Sequence, residues 1–111
     1  MRQGKVYYKD SLAGIITESN DGEYIFKYNE QYVKDHPGDF ITFTMPVAGE
    51  PYVDKRLFPF FDGLIPEGWL LDIISENWKV DKNDRMGLLL TCCKSCIGAV
   101  SVEPLKVNDE E

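Results

Sequence analysis

Residues 57–71 read Leu57-Phe58-Pro59-Phe60-Phe61-Asp62-Gly63-Leu64-Ile65-Pro66-Glu67-Gly68-Trp69-Leu70-Leu71 (LFPFFDGLIPEGWLL). The stretch is too aromatic for an ordinary connection, and it divides two kinds of pattern. Upstream the chain reads as strands. Lys5–Lys9 (KVYYK) and Leu12–Thr17 (LAGIIT) are β-rich runs separated at hairpin spacing by Asp10-Ser11. In Glu23–Tyr28, Tyr24, Phe26 and Tyr28 alternate with Glu23, Ile25 and Lys27, after an Asn20-Asp21-Gly22 turn signal. Asn29–Asp35 fits one helical turn and stops at His36-Pro37-Gly38-Asp39, a turn composition. Phe40–Met45 alternates again and reads as a strand, and Pro46–Arg56, with two prolines, as an exposed loop.

Downstream the period changes to that of helices. Pro66 suits a first helical position, so a helix is expected from there to about Trp78. Asp81, with Asp84 three residues on, resembles an N-cap for a second helix. That helix places Met86, Leu89, Leu90 and Cys93 on one stripe. Ile97–Glu103 can return as a last strand. Strands, helices and a strand give an α+β domain: a small antiparallel sheet or partial barrel of about five strands, with the two helices of the second half on one face. The alternation and helical spacing nominate Tyr24, Phe26, Phe43, Phe58, Phe61, Leu70, Ile74, Leu89 and Val100 as core. The aromatic stretch has two open readings: a core-filling segment that locks helices to sheet, or in part a partner surface, since aromatics dominate interface anchors.

With 111 residues the chain has room for one domain, residues 1–105, followed by an acidic tail, 106–111. The net charge is −7, and residues 57–111 carry 5 basic against 10 acidic side chains. That balance argues against direct nucleic-acid binding and against an anionic membrane surface. No apolar run approaches the ~20 residues of a membrane span, and the N-terminus lacks an apolar signal core, so a cytoplasmic location is expected. Three cysteines, two of them adjacent, do not make a disulfide framework.

Enzyme chemistry is hard to find. His36, the lone histidine, precedes a proline in a turn, and the sequence holds no phosphate-cradling glycine loop, HExxH or GxSxG. Cys93-Lys94-Ser95-Cys96 is a CxxC, but three Cys and one His fall short of an ordinary four-ligand zinc site. The motif follows a helix rather than opening one, where the dipole disfavours a thiolate. The bland reading of Cys92, Cys93 and Cys96 is small packing residues. No cofactor is expected.

The order Lys5-Val6-Tyr7, Leu12-Ala13-Gly14, Tyr24-Ile25-Phe26-Lys27-Tyr28 resembles the start of HipA-type serine/threonine kinases. So does Phe58-Pro59-Phe60-Phe61, followed by Pro66-Glu67-Gly68-Trp69, the signature of their N-terminal subdomain 1, and the closing Cys96-Ile97-Gly98-Ala99-Val100. Cys93-Lys94-Ser95 departs from the family's usual Gly-x-Asp before this last motif. The resemblance covers roughly residues 5–103. It implies a non-catalytic module, because the family's catalytic and ATP-binding residues lie in a kinase region of which no motif occurs here. It further implies similarity to HipS, the separate small component of split HipBST toxin–antitoxin systems. Such a protein binds and neutralises a HipA-like kinase lacking its own N-terminal subdomain, with a HipB-like DNA-binding protein reached through the complex. The alternatives are a split-kinase subunit that supports its partner, and a thiol redox or metal protein using the CxxC.

On a helical wheel Leu70, Leu71, Ile74 and Trp78 form the apolar stripe, whereas Trp69 falls beside Asp72 and Glu76, with Ile73 as its apolar neighbour. An aromatic displaced from the stripe has the placement of an interface anchor, so Trp69, Ile73, Glu67, Asp72 and Glu76 are the candidate partner-binding residues. Purified protein incubated with labelled ATP is expected to transfer no phosphate, and elemental analysis to give well under one zinc per chain. One bound zinc per chain would restore the thiol reading.

Overall fold

In the computed structural model, residues 2–65, 68–81, 83–92 and 99–105 are described, without the side chains of Trp69, Trp78 and Cys92. Strands β1 (Arg2–Tyr8), β2 (Ser11–Glu18) and β3 (Tyr24–Tyr28) form an antiparallel meander, followed by helix α1 (Glu30–Asp35), strand β4 (Tyr52–Asp54), helices α2 (Pro59–Asp62), α3 (Trp69–Trp78) and α4 (Arg85–Cys92), and strand β5 (Val100–Leu105). The five strands lie in the order β4-β3-β2-β1-β5, all neighbours antiparallel. The sheet ends at β4 and β5 and does not close. This is the α+β arrangement expected from the sequence, with β5 returning beside β1 after the helices.

The turns follow local chemistry. The first hairpin turns on Lys9-Asp10, one residue before the expected pair, with φ of 50° and 71°. Positive φ at both central residues matches the right-handed twist of the flanking strands. In the second, Gly22 takes φ 85° and the Ser19 amide donates to the Glu23 carbonyl at 2.8 Å. Asn29 caps α1 by accepting from the Gln31 amide at 2.8 Å.

One face of the sheet carries the core. Val6, Ile16, Phe26, Val100 and Val102 lie on it across four paired strands, all buried. Two glycines make this face accessible. A Cβ at Gly14 would stand 2.9 Å from the Phe26 ring, and one at Gly4 2.7 Å from Leu90 Cδ2 of α4. Gly14 thus leaves space for the Lys27 carbonyl of β3 as well as for the Phe26 ring, and Gly4 for a helix. On the filled face Phe26 meets Tyr28 at 4.9 Å and Phe61 of α2 at 5.5 Å between centroids. Helix α4 buries Met86, Leu88 and Leu89 completely, wider than a single stripe, because it packs on β5 and also touches α2 and α3.

Two ion pairs hold α4. Arg2 donates through Nη1 and Nη2 to Asp84 Oδ2 and Oδ1 at 2.9 and 2.8 Å, and through Nε to Glu18 at 2.7 Å. Arg85 Nε donates to Asp62 Oδ1 at 2.6 Å, joining the start of α4 to the end of α2. Asp84 Oδ1 also accepts from the Gly87 amide at 3.2 Å, so Asp84, rather than Asp81, caps α4; Asp81 accepts from Asn83 in the preceding turn.

Three sequence expectations are corrected. Phe40–Met45 is not a strand; the fourth strand is Tyr52–Asp54, inside the stretch expected to be loop. The Tyr28 hydroxyl donates to the Met45 carbonyl and accepts from the Ile41 amide. The segment therefore turns around one buried phenol, which buries Ile41 and Met45 and leaves Phe43 78% exposed. Phe43 is not core, and neither is Leu70, 42% exposed on α3. Phe26, Phe58, Phe61, Leu89 and Val100 are buried as expected, with Tyr24 and Ile74 half-buried. The helix expected from Pro66 begins at Trp69, since Gly68 has φ 66°. Pro66, Gly98, the CxxC and the tail at 106–111 lie outside the described residues.

Replacing Phe61, fully buried, by Ala is expected to cost about 3–5 kcal/mol in urea unfolding. Against a typical stability of roughly 5–15 kcal/mol this takes much of the fold. A pH dependence follows from the Arg2 fork. Hydrogen bonds from Arg2 hold the Asp84 carboxyl below the usual carboxylate range. Its stabilisation is therefore present above the unfolded value of about 3.9 and is lost as pH falls through the folded value. The gap in urea midpoint between wild type and Arg2→Met should narrow from pH 7 to pH 2; a constant gap rules this out.

Candidate functional site

Candidate docking residues gather on α3, and the chain enters that helix through a backbone turn that only glycine tolerates well. Gly68 has φ 66° and ψ −141°, and its carbonyl accepts from the Asp72 amide at 3.2 Å. A Cβ at Gly68 would meet nothing within 4 Å, so the demand for glycine is conformational rather than steric. At the other end Lys79 turns left-handed at φ 54°, its amide donating to Ser75, and the Ser75 hydroxyl donates to the Val80 carbonyl at 2.5 Å.

Helix α3 packs on α4. Leu71, Ile74 and Ser75 form its half-buried side, while Leu70, Asp72, Ile73, Glu76 and Asn77 are exposed. Leu70 and Ile73, at 42% and 44% exposure, make an apolar ridge at i, i+3 spacing. Asp72 and Glu76 lie on the adjoining exposed side. The helix is thus turned toward Ser75 relative to the wheel, which takes Leu70 out of the core and sets it beside Ile73. Sequence reasoning missed Leu70; its position at the edge of the apolar stripe was the available signal. The structure places Ile73, Asp72 and Glu76 on one exposed surface, whereas Glu67 and the Trp69 side chain lie outside the described residues.

The aromatic half of the family motif packs inward. Pro59 starts α2; Phe58 and Phe61 are buried, Phe60 is half-buried, and the rings of Phe58 and Phe60 lie 6.2 and 5.3 Å from that of Phe61. At the last motif the Ala99 carbonyl accepts from the Lys9 amide at 2.8 Å, tying the entry of β5 to the first hairpin. Phe40, Phe43 and Val53 are exposed as well; Val53 borders a cleft of about 330 Å³ that also contacts Met45, Tyr52, Phe58 and Phe60.

Other chemistry is sparse. His36 Nδ1 lies 3.3 Å from Asp39 Oδ2 in its turn, and the ring packs 4.9 Å from Tyr32. Burial pushes the Tyr32 phenol up to about 12, aided by the Asp39 charge; its hydroxyl donates to the Asp39 carbonyl at 2.5 Å. Among the described residues no cluster of His, Cys, Asp or Glu could hold a metal, and no helix is long and apolar enough to cross a membrane.

Known proteins resemble this chain along nearly its full length. Residues 4–103 match the family model described as HipA N-terminal domain. A Haemophilus influenzae protein of uncharacterized function is 30% identical over 106 residues, covering 96% of this chain and 95% of that protein. Two kinase-named proteins of Sinorhizobium fredii, Y4dM and Y4mE, are each 29% identical, over 85% and 56% of this chain. The chain spans only 24% and 15% of their lengths. A solved structure of the N-terminal domain of a HipA toxin superposes with a TM-score of 0.72 at 25% identity, covering 97% of this chain and 96% of that one.

Gly68→Ala is expected to lower stability by about 1–3 kcal/mol through backbone strain alone. Gly49→Ala, where a Cβ also meets nothing and φ is not positive, should be close to neutral in the same thermal melts. Equal melting temperatures for the two variants would contradict the conformational account.

Proposed function

This chain belongs to the HipA N-terminal domain family, and on that premise we propose that it is a non-catalytic module that docks on a HipA-like serine/threonine kinase and neutralises it. The observation that carries the reading is the ridge of Leu70 and Ile73, exposed beside Asp72 and Glu76, on the helix that follows the family's Pro-Glu-Gly-Trp motif. Exposed aliphatic side chains bordered by acids suit a contact in which apolar burial gives affinity and charge steers the encounter. Trp69 opens the same helix, and a tryptophan there would supply the anchor that such a surface needs. The kinase-named relatives, much longer than this chain, support a partner of that class. The partner is a HipA-like kinase that lacks its own N-terminal subdomain, with a HipB-like DNA-binding protein reached through the complex. Neither direct nucleic-acid binding nor a membrane is involved.

Co-expression with such a kinase, scoring growth and autophosphorylation, tests the direction of the effect. Restored growth supports neutralisation; kinase activity that appears only with this chain would replace it by the split-subunit reading. Trp69→Ala and Ile73→Asp test the surface. Ile73→Asp should leave the melting temperature nearly unchanged, because Ile73 is exposed, and each variant should weaken binding by about 2 kcal/mol or more if the residue is a hot spot. Full neutralisation at wild-type dose by both variants would eliminate α3 as the docking surface.

A further inference from the structure

Where the β4–α2 connection meets the start of α4, a cleft of about 430 Å³ is lined by Tyr24, Lys55, Arg56, Leu57, Asp62 and Arg85. Three of these six side chains are cations, in a chain of net charge −7. Arg85 spends only Nε, on Asp62. Its two Nη groups make no other hydrogen bond among the described residues, and the side chains of Lys55 and Arg56 make no hydrogen bond or ion pair there. The nearby acids are largely engaged: Asp54 Oδ1 accepts from the Arg56 amide at 3.2 Å, Glu18 and Asp84 are held by Arg2, and the Tyr24 hydroxyl donates to Glu18 at 3.2 Å. Asp62 is the one carboxylate lining the cleft.

We propose that this cleft is a binding site for a phosphoryl group. Asp62 offsets one of the three cations, so the cleft keeps an excess of positive charge, from two separate segments, that an entering anion would balance. A carboxylate is satisfied by a single arginine fork, whereas a phosphate dianion offers enough acceptor oxygens for Arg56, the free Nη groups of Arg85 and the Lys55 ammonium together. An extended polyanion is disfavoured by the net charge of the whole molecule; a single phosphoryl group entering a local concavity is not. The group belongs either to a free phosphate compound or to a phosphorylated side chain of another protein, and the recognition chemistry is the same for both. The inference is independent of kinase docking through α3.

The test is a titration of the ¹⁵N-labelled full chain with inorganic phosphate at ionic strength held constant with sodium chloride. A parallel arm uses a phosphoserine peptide and its unphosphorylated counterpart. Saturable amide shifts at residues 54–57 and 85 are expected with phosphate and not with chloride alone. Arg56→Ala should weaken binding by about tenfold, the order expected for losing a charge-assisted hydrogen bond, at unchanged melting temperature. Lys55→Ala should weaken it less. A phosphopeptide that binds more than about tenfold tighter than free phosphate assigns the site to a protein-borne group; equal affinity assigns it to free phosphate. Non-saturating shifts, binding unaltered in both Arg56→Ala and Lys55→Ala, or equal binding of the unphosphorylated peptide would overturn the proposal.

Discussion

The structure turns on the contact between Phe26 and Phe61. Phe26 stands on β3 with its ring over Gly14 of the neighbouring strand, and Phe61 of α2 meets it at 5.5 Å. Neither half of the chain buries enough apolar surface alone, because a small antiparallel sheet with one apolar face needs a cover. The aromatic stretch supplies the first layer of that cover. Once Phe58 and Phe61 are buried, α2 is fixed, and Asp62 at its end is positioned to receive Arg85. From that point α4 is placed by Gly4 beneath Leu90, by the Arg2 fork on Asp84 and by the α2 link.

This hierarchy leaves α3 at the periphery. It packs on α4, and none of its described side chains is fully buried. Among its described side chains only Leu71, Ile74 and Ser75 are half-buried, and Leu70 and Ile73 are exposed together. The same small size that makes the sheet need its helices leaves apolar surface uncovered on the last helix added. The charge of the molecule is arranged with a comparable division, acids bordering the ridge and Lys55, Arg56 and the Asp62-paired Arg85 gathered at the cleft beside α2.

Several features were already fixed by local sequence. The alternation of Tyr24, Phe26 and Tyr28, the Asn20-Asp21-Gly22 turn and the helical turn at Asn29–Asp35 each depend on residues within a few positions of one another. Their places in the structure agree with the pattern. The change from period 2 to helical spacing around Leu57–Leu71 gave the α+β class, and the Phe-Pro-Phe-Phe and Pro-Glu-Gly-Trp motifs gave the family. Tertiary structure decided what depends on distant partners. Phe40–Met45 alternates like a strand, yet the Tyr28 hydroxyl gathers its backbone into a turn and sets Phe43 outside. The rotation of α3 about its axis, and with it the exposure of Leu70, was settled by where α4 stood. The Arg2–Asp84 fork joins residues 82 positions apart, and the Lys55–Arg56–Arg85 cleft unites two segments that no spacing rule connects. Periodicity states which side of an element is apolar; only packing against a particular neighbour determines how much of that side is covered.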